Sequence, residues 1–368
     1  GGVIMQFIIF DSSFQTTGSI RVFNTLLWYR RYYSPGIFEL HVPAEYFDLI
    51  NSGRYLYRND RTELGVIREV NFMRGDKSQK TAYCKGFFAE HLLNNNVIYP
   101  TFNRTGTPEA LARGVIDQYI INPANADRKI KHIQLGQLQG GGTSIALQNT
   151  GDNVGDRLYD TLKTQEMSQR LVFDYLENTL TYEVWKGLDR TDTQTENSWA
   201  IFSDSFRNIK NAQYDRDESD CKNVAYVAGE GEGSARKVVE VDIRQSPDEE
   251  RRELWVDARD LQQHSDNVNY TDAQYRDLLF QRGLEKLADY AGIEKVDSDV
   301  DPAANLIYGT DYDLGDLCTY RYSDVNIECS KRITEIQEVL EGSKRTLSVI
   351  FGNDSATDFK KIIRKETT

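Results

Sequence analysis

The feature that most constrains this chain is a period-two alternation of apolar and polar residues, repeated in short segments. Phe38, Leu40 and Val42 alternate with Glu39 and His41. The same alternation runs through Leu171, Phe173 and Tyr175, through Leu180, Tyr182 and Val184, and through Leu347, Val349 and Phe351. Successive side chains of a strand point to opposite faces, so the pattern buries one face of a sheet and leaves the other polar. Composition points the same way: 21 Tyr stand against 3 Met and 7 Pro in 368 residues, and Tyr with β-branched residues favours sheet. The predicted class is α+β, mostly β.

Order along the chain divides it. The first hundred residues read as a β meander, with strands at 3–10, 21–29, 38–42, 54–57, 64–72 and 81–88, broken at Ser34-Pro35-Gly36, Asn59-Asp60 and Gly75-Asp76. Short strands with regular turns suggest a barrel or sandwich. The middle changes character. Thr107 and Pro108 supply an N-cap and a first-turn proline, and Leu111, Val115, Tyr119 and Ile120 follow at helical spacing up to Asn122-Pro123. After a glycine-rich loop at 140–142, a second helix starts at Asp152-Asn153 with Val154, Leu158 and Leu162 inward. A hairpin turning at Glu177-Asn178 closes a small α+β unit near Thr191.

The last third returns to strands at 224–228, 238–243 and 253–256, then a helix at 272–290 with Tyr275, Leu278, Leu279 and Leu287 inward, then strands from Ile307 to Phe351. The expected layout is a β-barrel domain at 1–100, a helical linker and α+β domain at 101–200, a second β-barrel domain at 201–353 with helix 272–290 inserted, and a charged, loosely helical tail at 354–368. One local conflict stands out. Ile333, Ile336 and Val339 recur at spacing three, which a strand tolerates only with a bulge.

Chemistry is harder to place. The four Cys (Cys84, Cys221, Cys318, Cys329) are far apart and form no CxxC pair, so they read as buried small hydrophobes rather than a disulfide framework. The four His (His41, His91, His132, His264) are scattered, without the clustering of the usual metal sites. No GxSxG motif is present. Cys84 and His91 form a thiol–imidazole pair on paper only, because Cys84 sits in a strand pattern. The run Gly229-Glu230-Gly231-Glu232-Gly233-Ser234 lacks the Gly-Lys-Ser/Thr ending of a phosphate loop and reads as a hairpin loop. Asp297-Ser298-Asp299-Val300-Asp301 lacks the glycine and closing Glu of a calcium loop and reads as a solvated acidic loop. No catalytic residue, metal ligand or cofactor is predicted. The net charge of −13 argues against gripping nucleic acid through its phosphates and suits either plain solubility or an acidic lumen past which DNA slides. No apolar run reaches membrane-spanning length, and 1–5 lacks the basic start of a secretion signal. The cluster Trp28, Tyr29, Arg30, Arg31, Tyr32 and Tyr33 carries the residue types enriched at subunit interfaces. An ordinary core-and-rim role fits it as well.

Several segments, in order along nearly the whole chain, resemble one family. They are WYRRYYSPGIFELHVP at 28–43, Asp189-Arg190-Thr191 followed by Ile201-Phe202-Ser203, NVAYVAGEGEG at 223–233, ELWVDARD at 253–260, and above all 311–352, with DYDLGDLCTYRY, KRITEIQEVLEG and TLSVIFG. Together they resemble the siphovirus ReqiPepy-type tail protein family. Cys318 departs from the family pattern, which favours Val. The resemblance implies a structural, non-enzymatic hub of the virion tail, assembled in the host cytoplasm and similar to the hub of contractile tails. Its two β domains would be tail-tube-like barrels, and a homotrimer would form a pseudo-hexameric ring. Its implied partners are the distal tail protein, the tape measure and the tip or fibre proteins, with DNA only in transit. Within 311–352, Gly315-Asp316 reads as a structural turn before a strand. Two alternatives stay open: a tail-associated cell-wall hydrolase or peptidase, and a glycan- or receptor-binding module near Trp185 and Trp199.

Overall fold

The computed structural model describes residues 5–74, 80–265, 268–301 and 304–353. The tail at 354–368 and the Gly75-Asp76 break lie outside these residues. The first hundred residues give β1 (Phe7–Phe10), β2 (Thr16–Ile20), β3 (Thr25–Arg31), β4 (Ile37–Pro43), α1 (Phe47–Ser52), β5 (Tyr55–Arg58), β6 (Leu64–Arg74) and β7 (Lys80–Phe88). The middle gives β8 (Phe102–Gly106), α2 (Pro108–Ile116), β9 (Ile133–Leu135), β10 (Ile145–Asn149), α3 (Val154–Lys163), β11 (Ser168–Asp174) and β12 (Thr179–Trp185). After β13 (Asp189–Arg190), β14 (Ile201–Ser203) and β15 (Ile209–Asp217) come β16 (Val224–Ala228), β17 (Val238–Asp242), β18 (Glu253–Asp257) and the two-residue strands β19 (His264–Ser265) and β20 (Val268–Asn269). The chain ends with α4 (Asp272–Asp289), β21 (Ile293–Val300), β22 (Leu317–Tyr322), β23 (Ile327–Glu341) and β24 (Lys344–Asn353).

Alternation works as expected where one face is buried. Strands β4 and β12 bury every second side chain, with Phe38, Leu40 and Val42 inside in one and Leu180, Tyr182 and Val184 in the other. The N-terminal and C-terminal strands then depart from the expected pair of separate barrels. Among the described residues they share one sheet of 14 strands, in the order β15-β21-β24-β23-β3-β4-β7-β6-β5-β1-β2, with β22 off β23 and β13 and β14 off β22. No pairing among the described strands closes this path, which ends at β15 and β2. The join is β3 against β23, antiparallel from Glu335↔Arg31 to Glu341↔Thr25. β3 gives one backbone edge to β4 and the other to β23, so neither half presents that edge to solvent.

The spacing-three conflict resolves as a bulge for Ile333 and Ile336, while Val339, with no further register shift before it, lies on the other face. β23 shifts register against β24 between Ile333 and Glu335, so Thr334 is the extra residue and both Ile333 and Ile336 reach the same core, 0% and 1% exposed. The displaced Thr334 carbonyl accepts from the Tyr32 amide at 2.9 Å.

The middle unit follows its caps. Thr107 Oγ1 accepts from the Ala110 amide at 3.3 Å and opens α2; Asn178, at φ 55°, turns the β11–β12 hairpin. The glycine-rich loop is held by a residue that periodicity does not single out. Glu109, 1% exposed, accepts from the Gln139, Gly140 and Gly141 amides at 2.7, 2.7 and 3.0 Å.

Three further expectations are corrected. Strands β16, β17 and β18 form their own three-stranded sheet and do not join the large one. α4 lies across it and buries Tyr275, Leu278, Leu279 and Leu287 against Val227 and Val241; an apolar helix face needs a sheet to cover it, and this sheet supplies one. The supposed acidic loop at 297–301 is instead mostly strand: in β21, Val296, Ser298 and Val300 point in and Asp297 and Asp299 lie on the other face. Period outweighs acidic composition there. Finally, Ile307 does not begin a strand; the backbone turns through 309–315 and pairs regularly only from Leu317.

Deleting Thr334 leaves Ile333 and Ile336 two positions apart and still on one face, but it removes the displaced carbonyl that takes the amide of buried Tyr32 and shifts the pairing at the centre of the junction. The expected outcome, read by thermal unfolding followed by circular dichroism, is a much larger loss of stability than for Thr334→Ala. The Ala variant loses only one hydrogen bond, to the Ile350 carbonyl at 3.4 Å, at about 1 kcal/mol.

Candidate functional site at the junction of three units

The residues singled out at 28–33 and at 315–316 meet, although some 280 positions separate them. Their side chains are taken up inside this chain. Trp28 is 1% exposed and Tyr32 0%, and Tyr29 is buried beside them. Trp28 lies against Phe38 and Phe88, with the Arg58 guanidinium over its ring at 5.6 Å. Arg30 reaches Glu63 and Asp313, both at 2.5 Å, and the Tyr308 hydroxyl at 2.7 Å. Tyr33, half-buried, packs edge-on to Tyr32 at 4.8 Å.

Tyr32 is the centre of the junction. It follows β3, its amide is bound to the Thr334 bulge, and its carbonyl accepts from Ser168 Oγ of β11. Its hydroxyl donates to the Glu166 carbonyl at 3.0 Å and accepts from the Gly187 amide at 3.4 Å. Burial pushes this phenol up to about 12, so it stays a donor. Trp185 stands edge-on to the ring at 4.9 Å, and Arg332 lies over it at 5.7 Å. Arg332 in turn donates to the Gly315 carbonyl at 2.5 Å and to Glu166 at 2.8 Å.

Gly315 takes φ +85°, and a Cβ there would sit 2.4 Å from the Tyr32 ring and 2.9 Å from Trp185. Gly187 is as tight: a Cβ would meet the Gly315 carbonyl at 1.9 Å. Asp316, 4% exposed, accepts from the Leu188 amide at 2.8 Å, from Arg190 Nε at 2.8 Å and from the Asp313 amide at 3.0 Å. Burial raises its pKa, and these donors work against the rise. The first β unit (Tyr32), the middle unit (Glu166, Ser168, Trp185) and the last (Gly315, Arg332) are thus bound at one point.

The seam beside it is charged. Glu338, 2% exposed, opposes Trp28 across the β3–β23 ladder. It accepts from Arg58 at 2.5 Å and Arg61 at 3.2 Å, and Arg345 lies at 2.7 Å. Burial alone would raise its pKa, but the Arg58 hydrogen bond and the three cations bring it down to about 2. Between the units is a cavity of about 40 Å³ bordered by Arg30, Glu63, Glu90, Tyr159, Gln169 and Trp185. Glu90 accepts from the Leu171 amide at 2.9 Å, yet burial pushes its pKa up to about 7.

This arrangement suits holding units rigidly. Cys84 is buried in β7 and its thiol is pushed up to about 12 by burial, while His91 stacks on Phe87 at 4.2 Å. The 229–234 run connects β16 to its antiparallel neighbour β17. Trp199 is 53% exposed, with its indole N–H on the Gln194 carbonyl at 2.8 Å. Among the described residues, no group of three or more His, Cys, Asp or Glu is placed to hold a metal ion. No helix there is long and apolar enough to cross a membrane.

A family profile described as Siphovirus ReqiPepy6 Gp37-like protein matches residues 6–353. The chain belongs to that family. The place in the virion tail that this family implies stands with it. Among solved structures, the fold is similar to a tail protein from Neisseria meningitidis at 11% identity, covering 95% of this chain and 97% of that one with a TM-score of 0.56. It is equally similar to the 43 kDa tail protein of prophage MuSo2 from Shewanella oneidensis, at 12% identity, 94% and 98% coverage and a TM-score of 0.56. Prophage tail protein gp18 from Listeria monocytogenes follows at 10% identity, 99% and 99% coverage and a TM-score of 0.55. At these identities the likeness is one of fold. No curated protein sequence matches the chain.

Sequence reasoning passed over Glu166, Ser168, Gly187 and Arg332. Gly187, two residues after the strand that ends at Trp185, was the available clue to a close backbone approach.

Two outcomes follow from the geometry. Gly315→Ala is expected to lower stability by more than about 2 kcal/mol, from the left-handed backbone together with the Tyr32 contact. Gly309→Ala, at φ +83° with nothing within 4 Å of the added carbon, carries the backbone cost alone, about 1 kcal/mol. Urea titrations of the two variants separate the terms. The second concerns Glu90. Its folded pKa lies near 7, above the ordinary 4.5, so the folded state binds more protons between those values. Its contribution is full below about pH 4.5 and is lost as pH rises through 7, on the order of 3 kcal/mol in all. Glu90→Gln is expected to flatten that part of the stability–pH curve.

Proposed function

We propose that the chain is a structural hub of the phage tail, three copies of which form a pseudo-hexameric ring that joins the tail tube to the distal tip or fibres. The observation that carries this reading is the single sheet joining an N-terminal and a C-terminal β unit through β3 and β23. Two β units held at a fixed angle in each chain, taken three times, make six wall segments around a channel. In this reading each unit curls into a tube-like wall, and residues 101–200 brace them from outside. Membership of the siphovirus family and the tail-protein fold support it. So do the sheet ends at β15 and β2, edges that a closed ring of copies would cover. The acidic balance of the chain suits a wall that DNA passes without sticking. Neighbouring tube, tape-measure and tip proteins are the partners this position requires.

Reconstruction of the tail particle by electron cryomicroscopy, with native mass spectrometry of the purified chain, tests the proposal. The expected result is three copies in a ring at the tail tip. A chain placed elsewhere in the particle, or present in a number not divisible by three, overturns it.

A further inference from the structure

Helix α4 covers one face of the sheet β17-β16-β18, where Val227, Val239, Val241 and Val256 share its core. The alternate residues of β17 and β18 turn the other way and are exposed. At the centre of that outer face Tyr226 is the register partner of Glu240 on one side and of Trp255 on the other. Two aromatic rings therefore start one strand spacing apart, about 5 Å. Trp255 is 60% exposed. A single exposed apolar side chain is ordinary, but a Trp beside a Tyr on a sheet face makes a platform.

The charges around the platform cancel. Arg251 donates to Glu253 at 2.6 Å, to Glu240 at 3.0 Å and to the Tyr226 hydroxyl at 2.7 Å. Arg236 donates to Asp257 at 2.6 Å and to the Ala228 carbonyl at 2.8 Å, which fixes its guanidinium 5.8 Å from the centre of the Trp255 ring. Asp242 is taken by Arg244 at 2.8 Å, and Arg259 shares Asp257 at 2.5 Å. Each carboxylate of the face thus has its arginine, four of each, and no net charge is left to attract a polyanion. A paired carboxylate still has lone-pair sites to offer, and a guanidinium has five N–H donors. The rim therefore presents fixed donors and acceptors to a neutral, hydroxyl-rich ligand.

We propose that this face binds an uncharged oligosaccharide of two or three β-linked pyranose units with equatorial hydroxyls. Such a sugar ring turns flat C–H faces toward an aromatic ring, whose face is electron-rich. Its hydroxyls, each both donor and acceptor, reach the paired charges of the rim. Size favours a sugar over a protein. Three strands of five residues span about 15 by 17 Å, roughly 250 Å². A stable protein interface takes about 800 Å² from each partner. The site uses neither Trp185 nor Trp199, and it does not depend on how copies of the chain assemble.

The test is nuclear magnetic resonance on the full-length chain with isotope-labelled tryptophan, titrated with cellotriose and with chitotriose. Trp255→Phe and Trp199→Phe assign the indole N–H signals of those two positions. The expected result is a saturable shift of the Trp255 signal with at least one of the two sugars, with saturation transfer from protein to sugar protons. Trp255→Ala should abolish the transfer, Tyr226→Ala should weaken binding several-fold, and Trp199→Ala should leave it unchanged. An unmoved Trp255 signal with both sugars overturns the proposal, and so does saturation transfer that Trp255→Ala leaves intact. Association of copies in native mass spectrometry that Trp255→Ala abolishes also overturns it, because the face would then be a protein contact.

Discussion

The fold rests on how β3 is used. A strand has two hydrogen-bonding edges, and β3 gives one to its own hairpin partner β4 and the other to β23, about 300 residues further on. Everything else near the centre follows from that choice. Trp28 and Tyr32, which point from β3 and its end toward different cores, are buried because strands flank β3 on both sides. The Thr334 bulge keeps β23 in register with β3 while returning Ile333 to the C-terminal core. The Tyr32 phenol then fixes the middle unit against this frame through Glu166 and Gly187. A hinge between the β units would have to break a ladder of seven residue pairs, so the chain is built to keep its halves in one orientation.

Local pattern made a large part of this legible. Where one face of an element is buried, the sequence repeats with the period of that element, and β4, β11, β12 and α4 were readable for that reason. β15 was not, because most of its residues are exposed on both faces and leave no alternation to read. The Asp297–Asp299 segment carried the alternation, but its acidic composition suggested a loop. The bulge announced itself as a spacing conflict. The partnership of β3 with β23 left no local trace, since either strand pairs as well with any edge of matching length.

The junction was half legible. Gly315 and Asp316 read as a turn, and Trp28 to Tyr33 as a cluster that must be buried against something. The sequence does not say that each is the other's partner. That depends on close approaches, Gly187 to Gly315 and Gly315 to Tyr32, that exist only once three distant segments are in place. Glu109 is a similar case: a charge in the first turn of a helix is ordinary, and only the fold turns it inward to collect three amides of a loop 30 residues away.

The buried charges of the seam have a consequence for how such a chain can drift over time. Glu338 is shared by Arg58, Arg61 and Arg345, and Arg58 also stacks on Trp28 and reaches Asp60 at 2.7 Å. Losing the carboxylate leaves a guanidinium that is 1% exposed with Asp60 as its remaining partner, and removing one member of a buried charge pair costs up to about 3–5 kcal/mol, a large part of a domain's margin. Replacing the whole set by well-packed apolar residues costs little by comparison. The intermediate steps are the barrier. These positions therefore form a ratchet: relatives in which one of them differs are expected to differ at the others in step, so that divergence elsewhere in the chain runs ahead of divergence at the line where its two halves meet.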